Sequence, residues 1–281
     1  MEKDSPRESF KLVSEARRAL EQVDNPQDHS LAVKQNVGPF NDYLKHFKSV
    51  LENVMEATKA SSYRLYSEVP GSRGFRYDVA FTEQYKDRKD NPLQARPVYL
   101  DKLKQWCVDN LNALAFDCIE TDDALCIVQT DMLKRRQKST IAANDKDILQ
   151  CQGRHFRLHA GHRDIVEVEG YGHLEYDKES KKVVGTGSKF FFSQVLTGDK
   201  TDTYSGLPKC GPANAVKALE GTSCYEEGLE VVREMYHAKY GDDFNKYLLE
   251  QARLAWMLRD TFNGKRKNVP MWDVDYIPYF G

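Results

Sequence analysis

The sequence contains no C-x-x-C pair. Its six cysteines, at positions 107, 118, 126, 151, 210 and 224, stand singly, which excludes a C-x-x-C metal or redox motif and predicts reduced, mostly buried thiols. No apolar run approaches the 18 residues of a membrane span; the longest are short stretches such as 190–192 and 124–128. That predicts no transmembrane segment. The first eight residues, Met-Glu-Lys-Asp-Ser-Pro-Arg-Glu, have no apolar segment behind their charges, so no secretory signal is expected and the expected location is cytoplasmic. Internal repeats and low-complexity stretches are missing too. There is little net charge: 41 basic residues against 43 acidic ones leave −2. The total therefore advertises neither a nucleic-acid nor a membrane partner, although carboxylates serving metal can hide a basic surface in such a sum. What is present is core material. Forty per cent apolar and 11% aromatic residues exclude global disorder, and 281 residues fit one large domain or two small ones.

Along the chain, residues 1–38 form a highly charged segment, broken at Asn25-Pro26, whose role the pattern leaves undefined. In 39–60 the apolar positions Phe40, Leu44, Phe47, Val50, Leu51, Val54 and Met55 recur at three and four, an amphipathic helix. Residues 63–68 alternate as a short strand, closed by Pro70-Gly71. Residues 71–97, rich in charge, Gly and Pro, read as an exposed loop or arch. Helices follow over 100–114 and 122–134, a buried strand over 139–144, and a β-hairpin over 164–184. Helices then occupy 213–219, 225–239 and 243–258. The expected architecture is α/β: a mostly parallel central sheet flanked by helices across 39–196, then a helical region over 197–281.

Three acidic groups stand where elements begin or end: Glu120-Thr-Asp122-Asp123 before a helix, Asp145-Lys-Asp147 after a strand, and Asp199-Lys-Thr-Asp202. One such motif alone serves equally well as a turn or a helix N-cap. Three of them, at ends where an open α/β sheet binds its ligands, point to convergence. Seven carboxylates in one place repel unless cations neutralise them, and hard divalent ions with oxygen ligands are the natural partners. With those seven set aside, the formal −2 becomes +5, which suits a polyanionic substrate. The spacing His155-x₃-His159-x₂-His162 lacks Cys or Glu companions and argues little for zinc.

The order E-x-D-D, D-x-D, G-D-x-x-D resembles the 5′-nuclease family: flap endonucleases, the 5′-nuclease domains of bacterial DNA polymerases, and phage 5′→3′ exonucleases. The third block, Gly198-Asp199-Lys-Thr-Asp202-Thr-Tyr-Ser-Gly206-Leu-Pro-Lys209-Cys-Gly211-Pro-Ala213, is the sharpest, and its Asp-x-Tyr-Ser-Gly is similar to the bacteriophage exonuclease branch. The resemblance covers about residues 60–260. It implies a helical arch at 71–97 and a C-terminal helix–three-turn–helix. It further implies two Mg²⁺ or Mn²⁺ ions on Glu68, Glu120, Asp122, Asp123, Asp145, Asp147, Asp199 and Asp202, with Asp199 and Asp202 on the second ion. A K⁺ ion would sit at the Gly-rich clamp, where Gly206, Lys209, Gly211, Ala213 and Lys217 hold duplex phosphates. Tyr85-Lys86-Asp-Arg88-Lys89 resembles the arch motif, so Lys86, Arg88 and Lys89 would act on the scissile phosphate, with Tyr85 and Arg76 beside the DNA.

The implied activity is metal-dependent 5′→3′ exonuclease or structure-specific 5′-nuclease cleavage of DNA with a free 5′ end or flap. The implied location is the cytoplasm, that of the host if the chain is phage-encoded. The family's first apolar strand, which ends in a metal-ligating aspartate, has no match in residues 1–60; Val23-Asp24 lies in a charged helical stretch. Glu68 takes the place of the second-strand aspartate. This departure keeps open the alternative of a non-catalytic or weakly active DNA-binding relative. A PIN-type ribonuclease would lack the Gly-rich clamp.

Overall fold

A computed structural model describes residues 37–87, 96–158 and 165–279, together with positions 19, 21 and 22. The charged 1–38 segment, Arg88, Lys89, His159 and His162 fall largely or wholly outside the described residues.

Helix α1 (Phe40–Thr58) stops at Lys59, which turns left-handed at φ 54°. Its apolar stripe is half-buried, and Phe40 and Tyr43 meet Tyr99 edge-on at 5.3 and 5.1 Å. Strand β1 (Tyr66–Glu68) pairs in parallel with β2 (Leu114–Phe116), matching Tyr66 to Leu114 and Glu68 to Phe116. Between them lie the short α2 (Arg76–Val79) and α3 (Leu100–Leu111). After β2, α4 (Thr121–Lys134) opens with a capping box: the Glu120 side chain takes a backbone N–H of the first turn while Asp123 takes the N–H of Glu120 at 3.2 Å. Two of the acidic side chains thus start the helix, where its dipole favours negative charge.

Strand β3 (Thr140–Ala142) pairs in parallel with β4 (Gly153–Phe156), which pairs antiparallel with β5 (Ile165–Val168). A 3₁₀ turn (Asp147–Gln150) joins β3 to β4. Strands β6 (Leu174–Asp177) and β7 (Lys182–Gly185) form a separate hairpin. The described residues therefore hold three small sheets in place of one mostly parallel central sheet. The hairpin expected over 164–184 is displaced: β5 leaves it to pair with β4, because alternation says that a segment is a strand but not which strand it joins.

The centre of the molecule is α5 (Gly187–Thr197), followed by α6 (Pro212–Leu219), α7 (Tyr225–Tyr240) and α8 (Phe244–Ala255). Phe190–Leu196 is buried throughout; its apolar residues are covered on several sides, and its Ser193 and Gln194 are satisfied by the Phe190 carbonyl and Asp147. Phe191 packs edge-on to Trp256 at 4.8 Å and against Trp272 at 5.8 Å. Trp272 Nε1 donates to Tyr225 Oη (2.8 Å), and Tyr236 Oη donates to the Val195 carbonyl (2.8 Å). A smaller cluster of Cys126, Ile141, Ile148, Cys151 and Met257 lies beneath β3. Five of the six cysteines are buried and none is bridged.

Candidate active site

The chain ends of β1 and β3, the start of α4 and the loop after α5 bring the acidic groups into one basin. Glu120 accepts from Lys86 Nζ at 2.6 Å, and Asp202 lies 3.8 Å from the same ammonium. The Tyr85 hydroxyl lies 3.3 Å from Glu120 and 3.2 Å from Asp202, bridging the two segments. Lys86 itself is left-handed at φ 50°, and its N–H donates to the Asp202 carbonyl at 2.9 Å. Burial works against the Lys86 charge, but Glu120 and Asp202 overcome it and raise its pKa. Burial pushes the Tyr85 phenol far up, so it stays protonated and donates.

On the other side stand Asp122, Asp145, Asp147 and Asp199. Burial and the neighbouring Asp145, Asp123, Glu120 and Asp147 hold the Asp122 carboxyl up at about 7. Asp147 reaches about 7 as well, through burial and Asp145, with Lys146 opposing. Gln194 Nε2 donates to Asp147 at 2.7 Å. Lys146 Nζ sits 3.3 Å from Asp199; burial would raise the Asp199 pKa, but Lys146 and the Thr201 N–H hold it low. Asp202 is raised by burial, with Lys86 opposing. Asp202 thus shares Lys86 with Glu120, and Asp199 shares Lys146 with the D-x-D segment. Two further expected ligands serve the backbone. Glu68 takes the N–H of Thr121 at 3.2 Å, and Asp145 takes that of Asp147 at 2.9 Å. Among the described residues no three His, Cys, Asp or Glu side chains converge closely enough to hold a metal ion as they stand. The ammonium groups of Lys86 and Lys146 stand among the carboxylates, Lys86 between Glu120 and Asp202 and Lys146 on Asp199.

Four expected site residues occupy other places. Tyr85, expected beside DNA, is buried with its hydroxyl on Glu120 and Asp202. Arg76, expected beside DNA, is fully buried: its guanidinium donates to both Asp123 oxygens (2.6 and 2.9 Å) and to the carbonyls of Leu254 (3.0 Å) and Trp256 (2.5 Å). Asp123, expected on metal, is equally buried; besides Arg76 it takes the N–H groups of Glu120 and Leu258. A carboxylate engaged this way has no lone pair facing the basin. Gly206, expected at the phosphate clamp, is buried, and its N–H donates to Gln251 Oε1 at 2.7 Å. It is left-handed at φ 65° and backs onto Gly198; a Cβ on Gly206 would stand 2.3 Å from the Gly198 nitrogen. Glycine here lets two backbones touch, closing the loop that carries Asp199 and Asp202. In contrast, Gly211 caps α6 with open space around it, and Lys209, Ala213 and Lys217 are exposed near it.

The first part of the 71–97 segment is also not an exposed loop, since Phe75, Arg76 and Tyr85 are core residues. Other basic groups have partners: Lys134 meets Asp260, Arg135 meets Asp131, and Arg266 meets Asp78. Lys146, Gln194 and Tyr204, which is buried beside Asp147, Asp199 and Asp202, join the site without having been singled out. Lys146 carried a signal as the residue between the two aspartates of D-x-D, and Tyr204 as the tyrosine of Asp-x-Tyr-Ser-Gly; Gln194 carried none.

With this geometry in view, known proteins supply the comparison. The chain matches no protein-family model. It is 22% identical over 237 residues to DNA polymerase I of Bacillus caldotenax, covering 83% of this chain but 26% of the polymerase. It therefore spans about a quarter of the length of that relative. The crystal structure of the phage T5 D15 protein co-crystallised with metal ions superposes with a TM-score of 0.50 at 12% identity, covering 75% of this chain and 82% of that one. The chain resembles the 5′-nuclease family in sequence and in fold. A structure of the T5 D15 flap endonuclease with DNA and metal ions matches with a TM-score of 0.43 at 10% identity, over 75% of this chain and 90% of that one. Among the described residues no helix is long and apolar enough to cross a membrane.

Proposed function

We propose that this chain is a divalent-metal-dependent 5′-nuclease that hydrolyses phosphodiester bonds of DNA carrying a free 5′ end or flap. The observation that carries the reading is the basin itself: carboxylates from three separate segments, gathered around Lys86 and Lys146 on a fold similar to that of T5 D15. The donor set fits hard divalent cations. It is all oxygen, and Asp122 and Asp147 are driven up to about 7 by burial and by neighbouring carboxylates, which a cation would relieve. Glu120, Asp122, Asp145, Asp147, Asp199 and Asp202 would hold two Mg²⁺ or Mn²⁺ ions, with Glu68 at the margin. Bound there, such ions supply Lewis acidity and make a coordinated water more acidic.

The remaining work belongs to this chain's own side chains. Lys86, at the edge of the basin beside Glu120 and Asp202, would offset negative charge developing on the scissile phosphate. Tyr85 holds Glu120 and Asp202 at a fixed separation. Arg76 and Asp123 act as positioning residues, anchoring the start of α4 to the end of α8. Lys209, Gly211, Ala213 and Lys217, exposed at the start of α6, would take duplex phosphates, with K⁺ at the same turn.

The lysine-filled basin also favours a second reading, a DNA-binding relative of low activity in which Lys86 and Lys146 stay with the carboxylates. Digestion of a 3′-labelled duplex with a 5′ overhang separates the two. Cleavage in Mg²⁺ or Mn²⁺, lost in EDTA and in Asp199→Asn/Asp202→Asn, supports the nuclease. Binding without cleavage supports the second reading, and neither binding nor cleavage refutes both.

A further inference from the structure

Beyond the acidic basin, the surface carries a set of aromatic rings that no part of the proposed chemistry uses. Phe81 is 48% exposed although it lies two residues past α2, which opens on the buried Arg76. Its ring lies 5.9 Å from that of Tyr247, which in turn stacks face to face on Tyr240 at 4.1 Å and 14°. The ammonium of Lys246 stands 4.7 Å from the Phe81 ring and 5.8 Å from the Tyr247 ring. An exposed aromatic ring with an ammonium over one face offers both things that an unpaired nucleotide needs, a surface for the base and a charge for its phosphate.

The patch is built onto the same support as the candidate site. Glu250 of α8 takes the N–H groups of Phe81 and Thr82 at 2.5 and 2.7 Å, and the Thr82 hydroxyl at 2.7 Å. The adjoining Gln251 donates to Glu250 and accepts from Gly206 in the loop of Asp199 and Asp202. Five residues after Phe81, the Lys86 backbone is tied to Asp202. The backbone that carries the ring is therefore tied to the support of the basin.

From this juxtaposition we infer that Phe81, backed by Tyr247 and flanked by Lys246, is a stacking platform for an unpaired base of single-stranded DNA. This inference rests on the proposed DNA substrate. It adds a contact to the unpaired strand that is independent of the metal ligands and of the duplex clamp. The base lies on the open face of Phe81, and Lys246 turns from the ring to the adjoining phosphate.

The test measures affinity in EDTA for three probes: an unpaired oligodeoxythymidine, a duplex with a 5′ overhang, and a blunt duplex. The full chain is compared with Phe81→Ala, Phe81→Trp and Lys246→Gln. Phe81→Ala is expected to weaken binding of the unpaired and overhang probes about tenfold, as loss of one base–aromatic stack does. Phe81→Trp restores it, and the blunt duplex changes less than about twofold. Lys246→Gln should lower the slope of log affinity against log salt on the unpaired probe by about 0.7, the share of one phosphate contact. Unchanged affinity of Phe81→Ala for unpaired DNA, or equal losses on blunt and unpaired probes, overturns the platform while leaving the nuclease reading intact. Failure of the unaltered chain to bind any of the three probes removes the nuclease reading, and the platform with it.

Discussion

Replacing Arg76 with methionine tests the claim that the Arg76–Asp123 pair is structural. Both side chains are fully buried. The substitution removes two charge-assisted bonds to Asp123 and two more to the carbonyls of Leu254 and Trp256. Asp123 is left as a buried anion with only the Glu120 and Leu258 N–H groups. Breaking one side of a buried pair typically costs about 3–5 kcal/mol, and stranded carbonyls add about 1 kcal/mol or more. Part of this is recovered by local rearrangement, so about 4 kcal/mol is the expected loss. Against a total of about 5–15 kcal/mol that is a large fraction, and at about 2–4 °C per kcal/mol for a chain of this size it lowers the melting temperature by about 10 °C. Urea unfolding of the metal-free protein should show a lower midpoint at an unchanged slope. The double variant Arg76→Met/Asp123→Leu should regain a substantial part, because no charge is then stranded. A loss below about 1 kcal/mol, or a double variant no better than the single one, would refute the reasoning. If Asp123 were instead a metal ligand, Asp123→Asn would leave metal-free stability unchanged and weaken cation binding alone.

The pH dependence follows from Asp122 and Asp147, whose carboxyls are held up at about 7. A group raised in this way stabilises the fold below its ordinary carboxylate pKa, and the contribution is lost as pH rises through about 7. Calorimetry of the metal-free protein should therefore show Asp122→Asn raising the melting temperature by a few degrees at pH 8 and hardly at all near pH 4; an equal effect at both would break the link to charge. Gly206→Ala should destabilise by about 2 kcal/mol or more, since its Cβ would stand 2.3 Å from backbone at positive φ. Gly211→Ala, with open space around it, should change urea stability by less than about 0.5 kcal/mol. Lys86→Ala should lower the rate of metal-dependent cleavage by roughly 10²–10³-fold with little change in duplex affinity; an unchanged rate removes Lys86 from the chemistry.

Much of the architecture was legible from periodicity. The helices at 40–58, 100–111, 121–134 and 225–240, the strand at 140–142 and the three acidic clusters all lie where spacing and element ends place them. Those features are local: a stripe repeating at three and four, or a carboxylate just past an apolar run, follows from neighbours in the chain. The motif order was enough to point to the 5′-nuclease resemblance.

What spacing does not encode is which side of a segment faces inward, or what meets it there. Arg76 and Lys86 lie ten residues apart in a stretch that reads as exposed and charged, yet one is sealed beneath the basin and the other is half-buried within it. That difference arises because the ends of α4 and α8, far away in sequence, supply Asp123 and two free carbonyls to a guanidinium. Likewise Gly198-Asp199 and Gly206 are adjacent parts of one motif, but only the approach of Gln251 turns Gly206 into a backbone contact rather than an open amide. Composition and order determined the elements and the chemical kinds of residue available. Only tertiary packing, by deciding which charges lose water and which partners replace it, sorted the acidic and basic residues into support, candidate ligands and surface.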